Sequence, residues 1–130
     1  MAYERKGKMK FREKTLESGT KIILGKNAES NEKLVKEFKR KPNLILHTVT
    51  PGSPFCVIEK TLKPSNEDIN TSGAICARYS RDWRDNKKDV KVNIFTGKDV
   101  YKLKSMPIGT FGVKKSRTMV VKKEEIQKFK

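Results

Sequence analysis

Hydrophobic and polar residues alternate near the start of the chain with the period of two that characterises a half-buried β-strand. From Lys8 to Thr15, Met9 and Phe11 fall on one face, and the opposite face carries Lys8, Lys10, Arg12 and Lys14. The turn-forming pair Ser18-Gly19 and the apolar run 21–24 come next. The pattern therefore predicts a β-hairpin with one strongly basic strand.

The period of the apolar residues then changes to that of a helix. Asn27 is a residue type favoured at helix N-caps, and an apolar stripe leads from it to Phe38, so a helix is predicted over 27–39. Two apolar strands follow, at 43–48 and 55–59, on either side of a Pro-Gly-Ser-Pro turn.

A second helix is predicted from Ser65, which has the spacing of a capping box with Asp68, to about Trp83. Its inner face is rich in small residues, which indicates close packing on a sheet. The residues of that face are Ile69, Ser72, Gly73, Cys76 and Ser80.

The last third of the chain returns to alternating patterns that predict four strands. These strands lie at about 90–94, 101–104, 110–113 and 118–121. In the second of them, Lys102 and Lys104 face away from Tyr101 and Leu103. The last two are predicted to pair as a hairpin whose tip is Lys114-Lys115-Ser116-Arg117.

The element order β-β-α-β-β-α-β-β-β-β predicts the fold class α+β, a mixed, largely antiparallel sheet with two main helices packed against it. A chain of 130 residues suits a single domain. We expect its core to span about 8–121, with frayed basic termini.

The charge balance restricts the function more than any other compositional feature. Lys and Arg number 31 and Asp and Glu number 15, so the net formal charge is +16. Self-repulsion of this size destabilises a compact chain, and its usual use is to bind a polyanion whose phosphates release counterions. Nucleic acid is the expected partner, and charge alone leaves open a membrane surface or an acidic protein.

Several function classes are not expected. The chain has no run of 18 apolar residues, and Met1 to Phe11 lacks the apolar region of a secretory signal, so we expect a cytoplasmic protein without a membrane span.

Cys56 and Cys76 are expected to be reduced core residues, and together with His47 they lack the spacing of a zinc site. We expect neither a metal nor another cofactor.

Candidate RNA-binding cations recur along the predicted strands. On the first strand a cation stands at every second position, about 6.7 Å apart, which is close to the phosphate repeat of an extended nucleic-acid strand. The alternative is that these lysines protect an edge strand from aggregation. The candidates of this kind are Lys8, Lys10, Arg12, Lys114, Lys115 and Arg117.

The segment from Leu24 to Asn27 places a glycine and Lys26 where a strand meets a helix N-terminus. Free N–H groups and the helix dipole favour an anion there, although a turn glycine followed by an N-cap explains the same residues without a ligand. Asn31 lies on the inward line of this helix, where it either hydrogen-bonds a loop or reaches a base edge.

A mixture of cations and aromatic residues ends the second predicted helix. Tyr79 or Trp83 could stack on an unpaired base, but Trp83 also suits the core. Arg78 and Arg81 each precede an aspartate by four residues, the spacing of a helical ion pair. The candidate RNA contacts here are Arg78, Arg81, Arg84, Lys87 and Lys88. The last three have no aspartate at this spacing.

His47 ends an apolar strand just before the turn that contains Ser53, and Cys56 follows closely. A lone histidine in such a place more often makes a structural hydrogen bond than a catalytic contact, and no third group orients these residues as a triad. The sequence therefore predicts no catalytic residues, and an enzyme is not expected.

At these segments the chain resembles the NFACT-R family, the RNA-binding module of NFACT proteins. Two blocks carry the resemblance, Gly25-Lys26-Asn27 with Asn31, and His47-Thr48 with Pro51-Gly52-Ser53. The segment 74–86 and the last strands continue it, so that it covers nearly the whole chain in order.

The resemblance implies an RNA-binding domain of translation and ribosome-associated quality control, with tRNA, rRNA and the large ribosomal subunit as partners. It implies that RNA is contacted by Lys26, Asn27, Asn31, His47 and Ser53. Pro54 stands where the family has a histidine, and Leu44-Ile45-Leu46 replaces an Asp-x-Trp pattern, so binding is expected to differ there. The chain resembles a stand-alone member, without the further domains to which the family's elongation of stalled nascent chains is assigned.

Three hypotheses follow from the sequence. The leading one is a module that binds tRNA or rRNA through electrostatic and stacking contacts. The alternatives are an RNA-modifying enzyme, or a subunit that recruits one, and a structural ribosome-associated protein.

We predict that the affinity for RNA falls steeply with salt, because each neutralised phosphate releases a counterion. A plot of log affinity against log salt should have a slope of about −0.7 to −0.9 per phosphate contact. Anisotropy titrations of labelled RNA at several KCl concentrations measure this slope. An affinity that does not respond to salt would contradict the electrostatic account.

Overall fold

The computed structural model describes residues 11–59 and 61–129. Lys8 and Lys10, and with them the beginning of the predicted basic strand, lie outside the described residues.

The strands are β1 Arg12–Thr15, β2 Lys21–Leu24, β3 Leu44–Thr48, β4 Cys56–Glu59, β5 Val90–Thr96, β6 Val100–Tyr101, β7 Gly112–Val113 and β8 Arg117–Val121. The helices are α1 Ala28–Phe38, α2 Asn66–Arg78, α3 Arg81–Asn86 and α4 Lys123–Gln127, with a 3-10 turn at Gly97–Asp99. Six strands form an antiparallel sheet in the order β1-β2-β4-β3-β5-β8, and β6 pairs with β7. The predicted α+β class with a largely antiparallel sheet is confirmed.

Both faces of the sheet are covered, and the two helices expected from the sequence lie on opposite faces. Helices α2, α3 and α4 cover the face that presents Ile22 and Val92, whereas α1 and the β6–β7 pair cover the face that presents Ile23 and Phe95. Successive side chains of a strand point to opposite faces. Two-sided burial therefore explains why β2 is apolar at every position from Ile22 to Leu24.

The N-caps of both main helices are confirmed, and one of them also has a long-range role. Asn27 caps α1 by accepting from the Ser30 amide at 2.8 Å. Ser65 caps α2 by accepting from the Asp68 amide at 3.1 Å, but the Asp68 carboxylate does not complete the predicted capping box. It accepts instead from the hydroxyls of Ser18 and Thr20, so it ties the β1–β2 turn to α2.

The prediction of one continuous helix as far as Trp83 is wrong, because α2 ends at Arg78 and α3 begins at Arg81. Between them the Ser80 hydroxyl accepts from the Trp83 amide at 3.1 Å and donates to Ala77 O at 2.6 Å. Both helices bury small or apolar residues in the same core, so the periodicity of the sequence does not reveal the break.

The predicted strand 101–104 and the predicted final hairpin are also wrong. Regular pairing ends at Tyr101, and Leu103 is exposed. Strand β7 pairs with β6, whereas β8 pairs with the free edge of β5 and buries Val121 in the main core. A local hairpin would have left that edge unpaired and Val121 outside the core.

The C-terminal end of the core lies beyond the predicted limit of residue 121. Helix α4 follows β8 directly, and its Ile126 is fully buried against α2 and the sheet. The fraying expected after residue 121 is therefore wrong for this segment. The described residues contain no helix with the length and hydropathy of a membrane span.

We predict that Ser80→Ala lowers the free energy of unfolding by about 1–2 kcal/mol, because it removes the N-cap of α3 in a buried place. Urea denaturation followed by circular dichroism measures the change. Ser116→Ala, at an exposed serine outside the helices, is the matched control and should change stability by less than about 0.5 kcal/mol. Equal stabilities of the two variants would show that the cap does not hold the break between α2 and α3.

Candidate functional site

One end of the sheet, the start of α1 and three loops meet around a cleft of about 790 Å³, which we call the Phe55 cleft. At this end β2 and β3 finish and β1 and β4 begin. The lining comes mainly from the segments 25–28, 47–49, 51–55 and 108–111, joined by Arg12, Asn31, Tyr79, Arg81, Asn93, Phe95 and Val113.

The described lining of the Phe55 cleft carries cations and no carboxylates. Its charged residues are Arg12, Lys26 and Arg81, and none of the described residues that line the cleft is Asp or Glu. Within the described part of the chain, none of the ion pairs involves these three cations. The cleft therefore has a positive electrostatic potential that favours an anionic ligand.

The back of the cleft is held by two hydrogen bonds of the Phe55 backbone. Phe55 N–H donates to Asn31 Oδ1 at 3.1 Å, and Gly25 N–H donates to Phe55 O at 3.2 Å. A Cβ at position 25 would overlap Asn31 Oδ1, so only glycine fits there. Of the two alternatives for Asn31, the loop hydrogen bond is the one that the structure contains.

His47 presents a hydrogen-bond acceptor in the cleft lining. Its Nδ1 lies 2.8 Å from Thr48 O, and since a carbonyl oxygen only accepts, Nδ1 carries the hydrogen. Nε2 of the neutral ring then has a lone pair that no described residue uses. Burial lowers the pKa of His47, an effect that the hydrogen bond to Thr48 partly offsets, so the ring is neutral at pH 7.

Aromatic rings give the cleft its shape. The Phe55 ring packs on the His47 ring with the centroids 4.2 Å apart, and it makes edge-to-face contacts with Phe95 and Phe111 at 6.4 and 5.9 Å. At the other side, the Arg12 guanidinium lies 4.1 Å from the centroid of the Tyr79 ring. This stacking fixes the guanidinium and leaves its N–H groups, which lie in its plane, for a ligand.

The Pro-Gly-Ser-Pro turn positions α3 and forms part of the cleft lining. Gly52 has a φ of +104°, a conformation that favours glycine, and its carbonyl accepts from the Arg81 amide at 2.8 Å. The Ser53 hydroxyl accepts from the Thr48 amide at 3.1 Å and donates to Pro54 O at 3.0 Å. Ser53 is therefore a structural residue of the turn, with both functions of its hydroxyl in use.

The wall formed by residues 107–111 is attached to α1 by a partly buried ion pair that sequence reasoning missed. Lys102 Nζ donates to Glu32 at 3.0 Å and to Pro107 O and Thr110 O at 2.7 Å, while the Gly109 amide donates to Glu32 at 2.7 Å. Burial acts to raise the pKa of Glu32, but these donors, together with Lys36, lower it on balance. Lys102 and Glu32 are far apart in sequence, so no local pattern predicts that they pair. Within the described wall, the residue type of Gly109 indicated only a turn at this place.

The structure brings seven of the predicted RNA-contacting residues together. Those that line the Phe55 cleft are Arg12, Lys26, Asn27, Asn31, His47, Ser53 and Arg81. Those that lie elsewhere among the described residues are Arg78, Arg84, Lys87, Lys88, Lys114, Lys115 and Arg117. Sequence reasoning did not identify Asn93 and Phe111, which line the cleft from β5 and from the loop before β7.

Three expectations for the segment 78–88 require correction. Trp83 is 4% exposed and belongs to the core, so it is not a stacking platform. Arg84 does have an acidic partner, Asp85, at 3.0 Å. Arg78 donates to Phe129 O at 2.9 Å rather than pairing with the aspartate one turn later.

The cysteines are buried thiols. Burial raises the pKa of Cys56 well above its usual value and that of Cys76 to about 12, so both remain protonated at neutral pH. The described residues contain no group of three or more His, Cys, Asp or Glu side chains that could hold a metal ion.

Comparison with protein families identifies the kind of domain. The family described as "NFACT protein RNA binding domain" matches residues 9–115. A curated relative, the archaeal Rqc2 homolog aRqcH of Methanocaldococcus jannaschii, is 32% identical over 82 residues, which are 62% of this chain and 12% of that protein. The chain thus corresponds to a small part of that relative's length.

A solved structure has the same fold. The C-terminal part of the fibronectin/fibrinogen-binding protein from Streptococcus suis superposes with a TM-score of 0.80 at 22% identity, over 95% of this chain and 50% of that chain. At this identity the likeness supports the fold alone.

We predict that His47 makes the protein less stable as the pH falls from about 7.5 to 5.5. The pKa of His47 is lowered in the folded state. Below about pH 6.5, the usual pKa of histidine in an unfolded chain, the unfolded state therefore binds more protons than the folded state. The free energy of unfolding then falls by at most about 1.4 kcal/mol per pH unit. Carboxylates with lowered pKa values, such as Glu32, remain ionised over this range. Urea denaturation of the wild type and His47→Gln at both pH values should show a larger loss for the wild type, and an equal loss would exclude His47 as the cause.

Proposed function

Because the chain belongs to the NFACT protein RNA binding domain family, we propose that it binds RNA and that the Phe55 cleft is the principal contact site. The observation that carries the assignment to the cleft is a set of three cations, Arg12, Lys26 and Arg81, which have no ion-pair partner and no neighbouring carboxylate in the described part of the lining. Phosphate groups are the ligands that such a set favours.

Each cation of the cleft has a distinct role toward the sugar-phosphate chain. The guanidinium of Arg12 is held by Tyr79, so it offers donors of fixed direction to a phosphate. Lys26 is an exposed point charge beside the N-terminus of α1, where the helix dipole adds to the positive potential. Arg81 is the first residue of α3 and lines the same cleft, so all three charges are available to one ligand.

Cations outside the cleft are proposed to extend the contact surface. Lys87 and Lys88 follow α3, Lys114 and Lys115 lie between β7 and β8, and Arg117 begins β8; all five are exposed. Their separation from the cleft suits a ligand larger than one nucleotide, such as a folded RNA.

We propose ribosome-associated quality control as the setting, in the cytoplasm. The support is the relative named as an Rqc2 homolog, of which this chain matches a small part. Transfer RNA and ribosomal RNA, within the large ribosomal subunit, are the ligands proposed.

Binding rather than catalysis is the activity proposed for the cleft. Among the described residues near His47, neither potential nucleophile is available. The Ser53 hydroxyl donates to Pro54 O, and the Cys56 thiol is buried and protonated. No specific observation favours the enzyme hypothesis or a subunit that recruits an enzyme.

We predict that Lys26→Glu and Arg81→Glu each weaken RNA binding about tenfold or more and reduce the slope of log affinity against log salt by about 1. Anisotropy titrations with bulk tRNA and with purified large-subunit rRNA measure both quantities. Lys63→Glu makes the same change in net charge in the exposed connection after β4, at the opposite end of the sheet, and should have a much smaller effect. If all three variants lose affinity equally, binding depends on net charge and not on the cleft.

A further inference from the structure

A row of polar side chains crosses three strands, and two of its three members line the Phe55 cleft. His47 on β3 is directly opposite Asn93 on β5, and Asn93 is directly opposite Thr118 on β8. Opposite residues on neighbouring strands project from the same face with their Cβ atoms about 4.5–5.5 Å apart. His47 and Asn93 both line the cleft, so their side chains meet a ligand side by side.

The hydrogen bonds of this row define what it can offer to a ligand. The Thr118 hydroxyl donates to Asn93 Oδ1 at 2.8 Å, which fixes the orientation of the amide and engages one lone pair of its oxygen. Within the described residues, the Nδ2 hydrogens of Asn93 have no partner. His47 offers the lone pair of Nε2 because its Nδ1–H is bonded to Thr48 O. The row therefore presents one donor and one acceptor next to each other.

Exposed apolar surface lies beside these polar groups. Val49 is 46% exposed and Ile108 is 61% exposed, and both line the cleft together with the half-buried ring of Phe111. A flat apolar ligand with a polar edge matches this combination, because its faces would cover the apolar side chains and its edge would meet the row. The cleft volume of about 790 Å³ is within the usual range of ligand sites.

We propose that the Phe55 cleft takes a single unpaired nucleobase, whose edge is hydrogen-bonded by Asn93 Nδ2 and His47 Nε2 while the phosphates beside it contact Arg12, Lys26 and Arg81. This inference rests on the proposed function of RNA binding and adds the form of RNA recognised. Each nucleobase has an adjacent donor and acceptor on its Watson–Crick edge, and in a duplex that edge is already used. The cleft therefore prefers single-stranded or looped RNA to duplex without selecting one base.

Three RNA probes of equal length test the inference on the full chain. They are a labelled single strand, the same strand annealed to its complement, and a single strand in which abasic residues replace the nucleotides. We expect the wild type to bind the first about tenfold more tightly than the other two, because only the first offers free bases. Equal affinities for the three probes would overturn the inference.

Two substitutions test the polar row. Asn93→Leu removes the donor at nearly constant size, and His47→Phe removes the acceptor while retaining a ring against Phe55. Each should reduce the affinity for the single strand about fivefold to tenfold and leave the weaker binding of the duplex and abasic probes unchanged. The matched control is Asn70→Leu at an exposed position of α2, which should not alter any of the three affinities.

Stability and a second variant separate this effect from misfolding. Circular dichroism melts identify any variant that does not fold, and Thr118→Val, at an exposed position outside the cleft lining, then serves instead. It releases the Asn93 amide and should reduce the preference for the single strand about twofold to fivefold. No loss of preference in the folded variants would overturn the role of the row.

The failure of the inference differs from the failure of the proposed function. If Lys26→Glu weakens binding of all three probes while Asn93→Leu weakens none, the cleft binds phosphates without reading a base, and only the inference is overturned. If the wild type binds none of the probes, RNA binding itself is contradicted.

Discussion

The fold and the candidate site both depend on the way the backbone of Phe55 is held. Its amide donates to Asn31 on α1, and its carbonyl accepts from Gly25 at the end of β2, so three separate segments are joined at one residue. Both bonds lie in an apolar cluster, where a polar group that lost its partner would cost about 1–3 kcal/mol. The same arrangement packs the Phe55 ring against His47, so the hydrogen bonds that close the core also position these two rings in the cleft lining.

The surplus positive charge has two different uses in this molecule. Lys102 is paired with Glu32 and donates to two loop carbonyls, so its charge attaches one wall of the cleft to α1. Arg12 and Lys26 lack acidic partners among the described residues and face the cleft. A paired and partly buried cation such as Lys102 holds two parts of the fold together. A cation without an acidic partner keeps its full attraction for a polyanion, and the net charge of +16 adds to that attraction.

Much of the fold could be predicted because burial leaves a local periodic pattern. The alternation around Arg12, the run 21–24 and the stripe from Asn27 to Phe38 each depend on residues within a few positions of one another. The blocks around Gly25 and His47 also predicted residues of the cleft, although for Asn31 and Ser53 the contacts that the structure contains are structural ones. The break at Ser80 was not predictable from periodicity because the helices on both sides of it bury the same face.

The sequence by itself therefore determined the α+β class, most of the strands, the caps of α1 and α2 and the preference for a polyanion. Only the tertiary structure decided that α1 and α2 lie on opposite faces, that β8 joins β5 rather than β7, and that Asn93 stands beside His47. These outcomes depend on contacts between residues far apart in the chain. Such contacts form where they bury the most apolar surface and satisfy the open edges of the sheet, which no local pattern records.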